Sequence, residues 1–149
     1  MLRLLSVFGP AQRRLLVWEI FEQLVGPADE VVLQATGHET REFLHVDDVG
    51  EAVLRTLERS LLRNAPSGRA EIVNVGSGEE VGVLELAELV KSLVGTSKPI
   101  ICRGVERPGD PRHWRADVSR FAEVVAPWRP RSPRRSLASC IAAWKSDSA

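Results

Sequence analysis

Apolar positions along the chain fall into short continuous runs that alternate with longer periodic ones. Leu2–Phe8 (LRLLSVF) is mostly apolar and too short for a helix. Such a run predicts a buried strand of the parallel type, stopped by Gly9-Pro10. Over Leu15–Val25 the residues Leu16, Ile20, Phe21 and Leu24 recur at helical spacing and predict a helix ended by Gly26-Pro27. Val31–Leu33 reads as a short strand leading into a polar turn at Thr36-Gly37-His38. Asp47 or Asp48 suits the N-cap of a helix whose packed face would carry Val49, Ala52, Val53 and Leu57.

Beyond the turn signal at Pro66-Ser67-Gly68, Glu71–Val75 (EIVNV) predicts a second buried strand, followed by a turn at Gly76-Ser77-Gly78. Val83–Val94 predicts a helix with Leu86, Leu89, Val90 and Leu93 inward. Pro99–Cys102 reads as a strand and the RPGD stretch at 107–110 as a loop. Asp117 caps a short helix ending at Val125. Ser132, bracketed by Pro130 and Pro133, starts a last helix with Leu137, Ile141 and Trp144 on one side. Strands alternating with helices predict an α/β class. No internal repeat and no low-complexity linker divides the 149 residues, which suffice for one domain with a core.

Composition changes the picture through one absence. The chain contains no tyrosine, which excludes a tyrosine general acid or base within it. Net charge is zero, so bulk electrostatics argue for neither nucleic acid nor membrane. No apolar run approaches the roughly 18 residues of a membrane span, and the N-terminus lacks the features of a signal peptide. Cys102 and Cys140 make no metal-binding spacing, and a reduced cytoplasm is the expected setting.

Charge is unevenly spread. Residues 103–135 hold nine arginines (103, 107, 112, 115, 120, 129, 131, 134 and 135) against Glu106, Asp110, Asp117 and Glu123. Such a stretch reads either as a solvated surface of mixed sign or as a pocket for an anion such as a diphosphate, which guanidinium groups fork onto.

Several motifs could carry chemistry. VNVGSGEEVG at 73–82 follows a strand and precedes a helix, but its spacing is GxGxxxG, one residue too long for a dinucleotide fingerprint. Glu79 and Glu80 would also face the pyrophosphate, so a plain turn is the better reading. His38, His45, Asp47 and Asp48 could be imagined as metal ligands, but the capping role competes for the aspartates. There is no GxSxG nucleophile elbow. Arg41 stands at the mouth of a strand beside a turn. Arg107 sits on a Pro-Gly loop with Asp110 three residues on. Two arginines and a carboxylate suit a sugar nucleotide, with guanidinium groups on the diphosphate and the carboxylate on ribose hydroxyls. The competing reading for each arginine is a surface salt bridge.

The order of four segments resembles the extended short-chain dehydrogenase/reductases, specifically the NAD-dependent sugar-nucleotide epimerases and dehydratases. LRLLSVFGP is similar to their R-x-x-N-V-Y-G-P, and GHETREFLHVDDVGEAV to their G-x-x-x-R-D-F-x-H-V-D-D-V-A-x-A. EIVNVGSGEEVGVLELAELV resembles their Y-N-V-G-S-G-E-E-V-S-V-L-E-L-A stretch, and RPGDPRHWRADVSRFAEVVAPWRPR their R-P-G-D segment running through A-D-x-S-K to G-W-x-P-R.

The resemblance implies the last strands of a Rossmann-type parallel sheet plus a small α/β C-terminal substrate-binding domain, with the N-terminal cofactor half absent. Residues 1–149 would form a single incomplete unit. Segments 1–12 and 42–76 would be residual Rossmann-sheet elements, and 13–41 and 77–149 the substrate-binding portion. It further implies that Arg41 and Arg107 contact a substrate diphosphate, that Asp110 lies near the ribose, and that Val32 and Gln34 line the base. Gly9-Pro10 would match the turn beside the nicotinamide. Ser6 stands where the family usually has asparagine, a changed substrate contact, and Val17 where it usually has proline. Arg134 replaces an apolar position, so the last helix is expected to be rotated or loosely docked.

The family's glycine-rich NAD loop and its Ser/Thr and Tyr-x-x-x-Lys set lie before the segment this chain resembles. The implied function is therefore the binding of a nucleoside-diphosphate sugar by the substrate portion of an NAD-dependent epimerase/dehydratase, without catalysis or NAD(P) binding by this chain alone. The alternatives are a non-catalytic or regulatory nucleotide-sugar-binding module and an inactive truncated remnant. An open apolar sheet edge predicts a marginal or aggregation-prone chain, or one that needs a partner chain supplying the Rossmann half.

Overall fold

The computed structural model describes residues 1–62, 71–104 and 109–147. The turn expected at Pro66-Ser67-Gly68 lies outside them. The apolar run Leu2–Phe8 is two strands rather than one, β1 (Leu2–Leu4) and β2 (Val7–Phe8). Ser6 takes a φ of 41°, which interrupts the extended backbone between them. β5 (Leu44–His45) runs parallel to β2, and the Leu44 N–H donates to the Ser6 carbonyl at 3.2 Å. β6 (Val73–Val75) runs parallel to β1, with Leu2 opposite Val73. Contrary to expectation β1 is not buried, and Leu4 is 45% exposed. Among the described residues β1 pairs with β6 alone, so its other edge is uncovered.

Three helices enclose the larger core. α1 (Leu16–Val25) buries Val17, Ile20, Phe21 and Leu24. α3 (Val83–Val94) buries Val83, Leu86, Ala87 and Val90, with Leu89 and Leu93 half-buried at its margin. α5 (Pro133–Asp147) closes the core with Leu137, Cys140, Ile141 and Trp144. The Trp144 ring meets Phe21 and Trp18 at 5.1 Å, and its indole N–H donates to the Pro10 carbonyl at 2.7 Å. Truncating so large a buried ring to alanine costs about 3–5 kcal/mol. The loose docking expected from Arg134 is not found, because Arg134 is exposed while the other face of α5 packs. Ser132 precedes α5, and its carbonyl accepts the Ser136 N–H.

A smaller core joins Leu44, Ala52, Val73 and Val75 to Phe121 and Val125. It lies between α2 (Val46–Leu62) and α4 (Ser119–Val125). Neither Asp47 nor Asp48 is the N-cap of α2, because the helix already begins at Val46. His45 takes that role, its Nδ1 accepting the Asp47 N–H at 3.2 Å. Val53 and Leu57, expected inward, are 46% and 54% exposed. The helix carries more apolar residues than its packed face can hold, and Ala52 makes the buried contact. The N-cap of α4 is Val118 rather than the expected Asp117, which lies one residue earlier, although its Oδ1 accepts the Ser119 N–H at 2.9 Å.

Two further small sheets shape the surface that matters for function. β3 (Val31–Leu33) pairs in parallel with β8 (Ile100–Cys102). β4 (Thr40–Glu42) is the centre of a three-stranded sheet, antiparallel to β7 (Glu80–Gly82) and parallel to β9 (His113–Trp114). Strands of two or three residues are too short to show a period of two, which is why β7 and β9 leave no mark in the apolar pattern.

Candidate functional site

β4 presents successive side chains to opposite faces. Glu42 points inward and is fully buried. Its carboxylate accepts the Gly78 N–H and, at 2.9 Å, the Ala116 N–H. A buried carboxylate is tolerated when several donors satisfy it, and these two tie β4 to the 76–78 turn and to the segment before α4.

Arg41, the preceding residue, faces the other way. Its Nη1 donates to the carbonyls of Thr40 and Pro111, both at 2.8 Å, and its Nη2 donates to Asp110 Oδ1 at 2.7 Å. The Arg41 side chain is only 13% exposed against 44% for Asp110. The guanidinium therefore organises the 110–112 loop against β4.

Beside this pair lies a cavity of about 920 Å³. Val32 and Gln34 reach it from the β3 segment, and Glu19 and Gln23 from α1. Arg103 and Arg112 join Arg41 in its wall. Glu39 also lines it. Its partial burial pushes its pKa up, but the backbone N–H groups of Thr36 and Gly37 and the Thr36 hydroxyl prevail and hold it at about 2. The cavity thus combines three guanidinium groups with carboxylate and amide acceptors, a donor set that suits an anionic and polyhydroxylated ligand.

Among the residues singled out in the sequence, Arg41, Asp110, Val32 and Gln34 meet at this cavity. Arg107 lies outside the described residues. Ser6, Gly9 and Pro10 are not in the cavity wall. Ser6 shapes the β1–β2 break, and Gly9 abuts the Val46 side chain so closely that a Cβ would collide. Glu19, Gln23, Arg103 and Arg112 were not singled out. The arginine-rich stretch signalled the last two, and the four-residue spacing of Glu19 and Gln23 on the polar side of α1 was the only mark of the others.

The Asp47-Asp48 pair has a structural partner. Arg131 Nη1 donates to Asp47 Oδ2 at 2.6 Å, and the Arg131 N–H donates to the buried Asp48 carboxylate at 3.3 Å. Together they pin the segment before α5 to the start of α2. Burial pushes the His45 pKa down, with Arg131 adding to that effect against the opposing charges of Asp47 and Asp48. Among the described residues no group of three His, Cys, Asp or Glu side chains is placed to hold a metal ion.

The 76–78 turn is not arranged as a phosphate cradle. The Gly78 N–H, which a phosphate-binding turn would need free, is taken by Glu42. The Pro10 carbonyl is taken by Trp144 and Arg13.

A model of the NAD dependent epimerase/dehydratase family matches residues 1–76. A probable GDP-L-fucose synthase 1 of Oryza sativa subsp. japonica is 41% identical over 118 residues, covering 79% of this chain and 33% of that protein. A dTDP-L-rhamnose 4-epimerase of Burkholderia thailandensis is 29% identical over 134 residues, covering 87% of this chain and 35% of that protein. The solved UDP-glucose 4-epimerase of Thermotoga maritima with UDP-glucose superposes with a TM-score of 0.79 at 25% identity, over 99% of this chain and 46% of that one. The chain thus spans about a third of the length of these curated relatives and under half of that solved structure.

Proposed function

Because the chain belongs to the NAD dependent epimerase/dehydratase family, we propose that its cavity binds a nucleoside-diphosphate sugar. The observation that carries this reading is the convergence of Arg41, Arg103 and Arg112 on one cavity whose remaining wall is α1 and the β3 segment. Arginines are suited to the paired oxygens of a diphosphate, and Asp110 beside Arg41 can accept ribose hydroxyls. The relatives named above are called after GDP-, dTDP- and UDP-sugars, whose shared part is the nucleoside diphosphate and sugar. With no tyrosine in its sequence, the role proposed for this chain is binding and orientation rather than proton transfer. Arg107 is proposed as a further diphosphate contact, and Val32 and Gln34 as the wall against the base.

Calorimetric titration of the chain with GDP-, UDP- and dTDP-sugars tests this. Arg41→Ala and, independently, Arg103→Glu should each weaken binding by roughly tenfold or more, the scale of one lost charge-assisted contact. Undiminished binding by both variants would remove the cavity from consideration.

The same reading includes a partner, a Rossmann-type polypeptide half that covers what this chain leaves open. The uncovered β1 edge supports it, as does the apolar stripe of Val46, Val53, Leu57 and Leu61 on α2, all at least 44% exposed.

A further inference from the structure

Arginines explain one part of the cavity and leave another unexplained. Glu19 and Gln23 stand one helical turn apart on α1, which puts them on the same face, and both line the cavity together with Val32 and Gln34. Among the described residues the Glu19 side chain enters no hydrogen bond or ion pair, and its backbone N–H donates to the Leu15 carbonyl. The Gln23 Oε1 accepts the Val32 N–H at 2.8 Å, which fixes the amide and leaves its NH₂ as the donor end. A carboxylate in a nucleotide cavity repels phosphate, so a ligand that approaches it must bring hydrogen-bond donors.

The common bases differ sharply in what they offer. Guanine presents a carbonyl oxygen, a ring N–H and an amino group side by side. Uracil and thymine present one N–H between two carbonyl oxygens, which a carboxylate disfavours. Adenine and cytosine present an amino group beside a bare ring nitrogen. Only guanine places two donors next to each other to meet both oxygens of a carboxylate, with a carbonyl adjacent for an amide NH₂.

We infer that Glu19 and Gln23 form a guanine reader, the Glu19 carboxylate accepting from the ring N–H and amino group and the Gln23 NH₂ donating to the carbonyl oxygen. This rests on the proposed nucleoside-diphosphate site and adds which base the site selects and which residues select it. Leu16, also in the wall and only partly buried, supplies apolar surface for the flat face of the ring.

The test is calorimetric titration of the 149-residue chain with GDP, with IDP, which lacks the amino group, and with UDP. Wild type should bind GDP roughly tenfold more tightly than IDP and should bind UDP more weakly still, the scale of a hydrogen bond to a charged acceptor. In Glu19→Gln the GDP and IDP affinities should come within about twofold of each other, since the amide keeps a single acceptor for the ring N–H and loses the bond to the amino group, the one contact that separates GDP from IDP. The comparison is between ligands within one protein, so a modest loss of stability does not disturb it. Equal affinity of wild type for the three nucleotides, or an unchanged GDP preference in Glu19→Gln, overturns the guanine reader. If Arg41→Ala still weakens all three in that case, the diphosphate reading stands. Absence of binding by any of the three overturns both.

Discussion

The buried Glu42 carboxylate occupies the space into which a side chain at Gly76 would project. Glu42 lies on β4 and Gly76 in the turn after β6, 34 positions apart, yet each fixes what the other can be. Gly76→Ala forces the carboxylate off its donors and should destabilise the fold by about 1–3 kcal/mol, the usual range for overpacking, as read by thermal or urea denaturation. In a Glu42→Ala background the same change should cost much less. Equal costs in the two backgrounds would show that the contact does not couple them.

Arg41 acts through a planar fork that serves two backbone carbonyls and Asp110 at once. Lysine keeps the charge but cannot span those acceptors. Arg41→Lys should therefore weaken nucleotide binding nearly as much as Arg41→Ala. Titration showing wild-type affinity in Arg41→Lys would mean that charge alone suffices.

His45 has a pH signature with a definite sign. Burial lowers its pKa in the fold below the ordinary 6.5, so below that value the unfolded chain binds the proton more readily than the folded one. Stability should be fully present at pH 8 and should decline as the pH falls through about 6.5 toward the lower folded value. Protonated Nδ1 also stops accepting the Asp47 N–H, which removes the cap from α2. His45→Asn keeps a capping acceptor without the titration, so its urea midpoint should change less over the same interval.

The two thiols should react in a fixed order. Burial pushes Cys140 up to about 11, and it is fully buried within the larger core. Cys102 is raised by burial too, with the Glu39 charge adding to it, but it is only half-buried on β8. At pH 8 a thiol reagent should label Cys102 alone, and Cys140 only on unfolding. Equal labelling rates in the folded protein would contradict the placement of α5.

Leu57 and Leu61 are 54% and 73% exposed on the outer stripe of α2. Leu57→Lys should reduce concentration-dependent association in sedimentation experiments while changing stability by less than about 0.5 kcal/mol, as surface substitutions do. A large loss of stability would place Leu57 in a packed interior instead.

The helices were legible because each carries enough residues for a period of 3.6 to repeat, as Ile20, Phe21 and Leu24 show in α1 and Leu86 and Val90 in α3. Where a helix has apolar residues on two faces, as α2 does with Ala52 inward and Leu57 outward, the pattern alone does not say which face packs.

Local chemistry along the chain thus determined the α/β class, the start of α5 at Ser132, the start of α4 to within a residue of Asp117, and Arg41 and Asp110 as a candidate pair. Tertiary structure decided that the two are joined at 2.7 Å, that Arg103 and Arg112 share their cavity, and that Glu19 stands in its wall. Periodicity and capping act over a few residues and can be read along one dimension. A cavity gathers side chains from α1, β3, β4 and the loop before β9, and that convergence exists only once the chain has closed on itself.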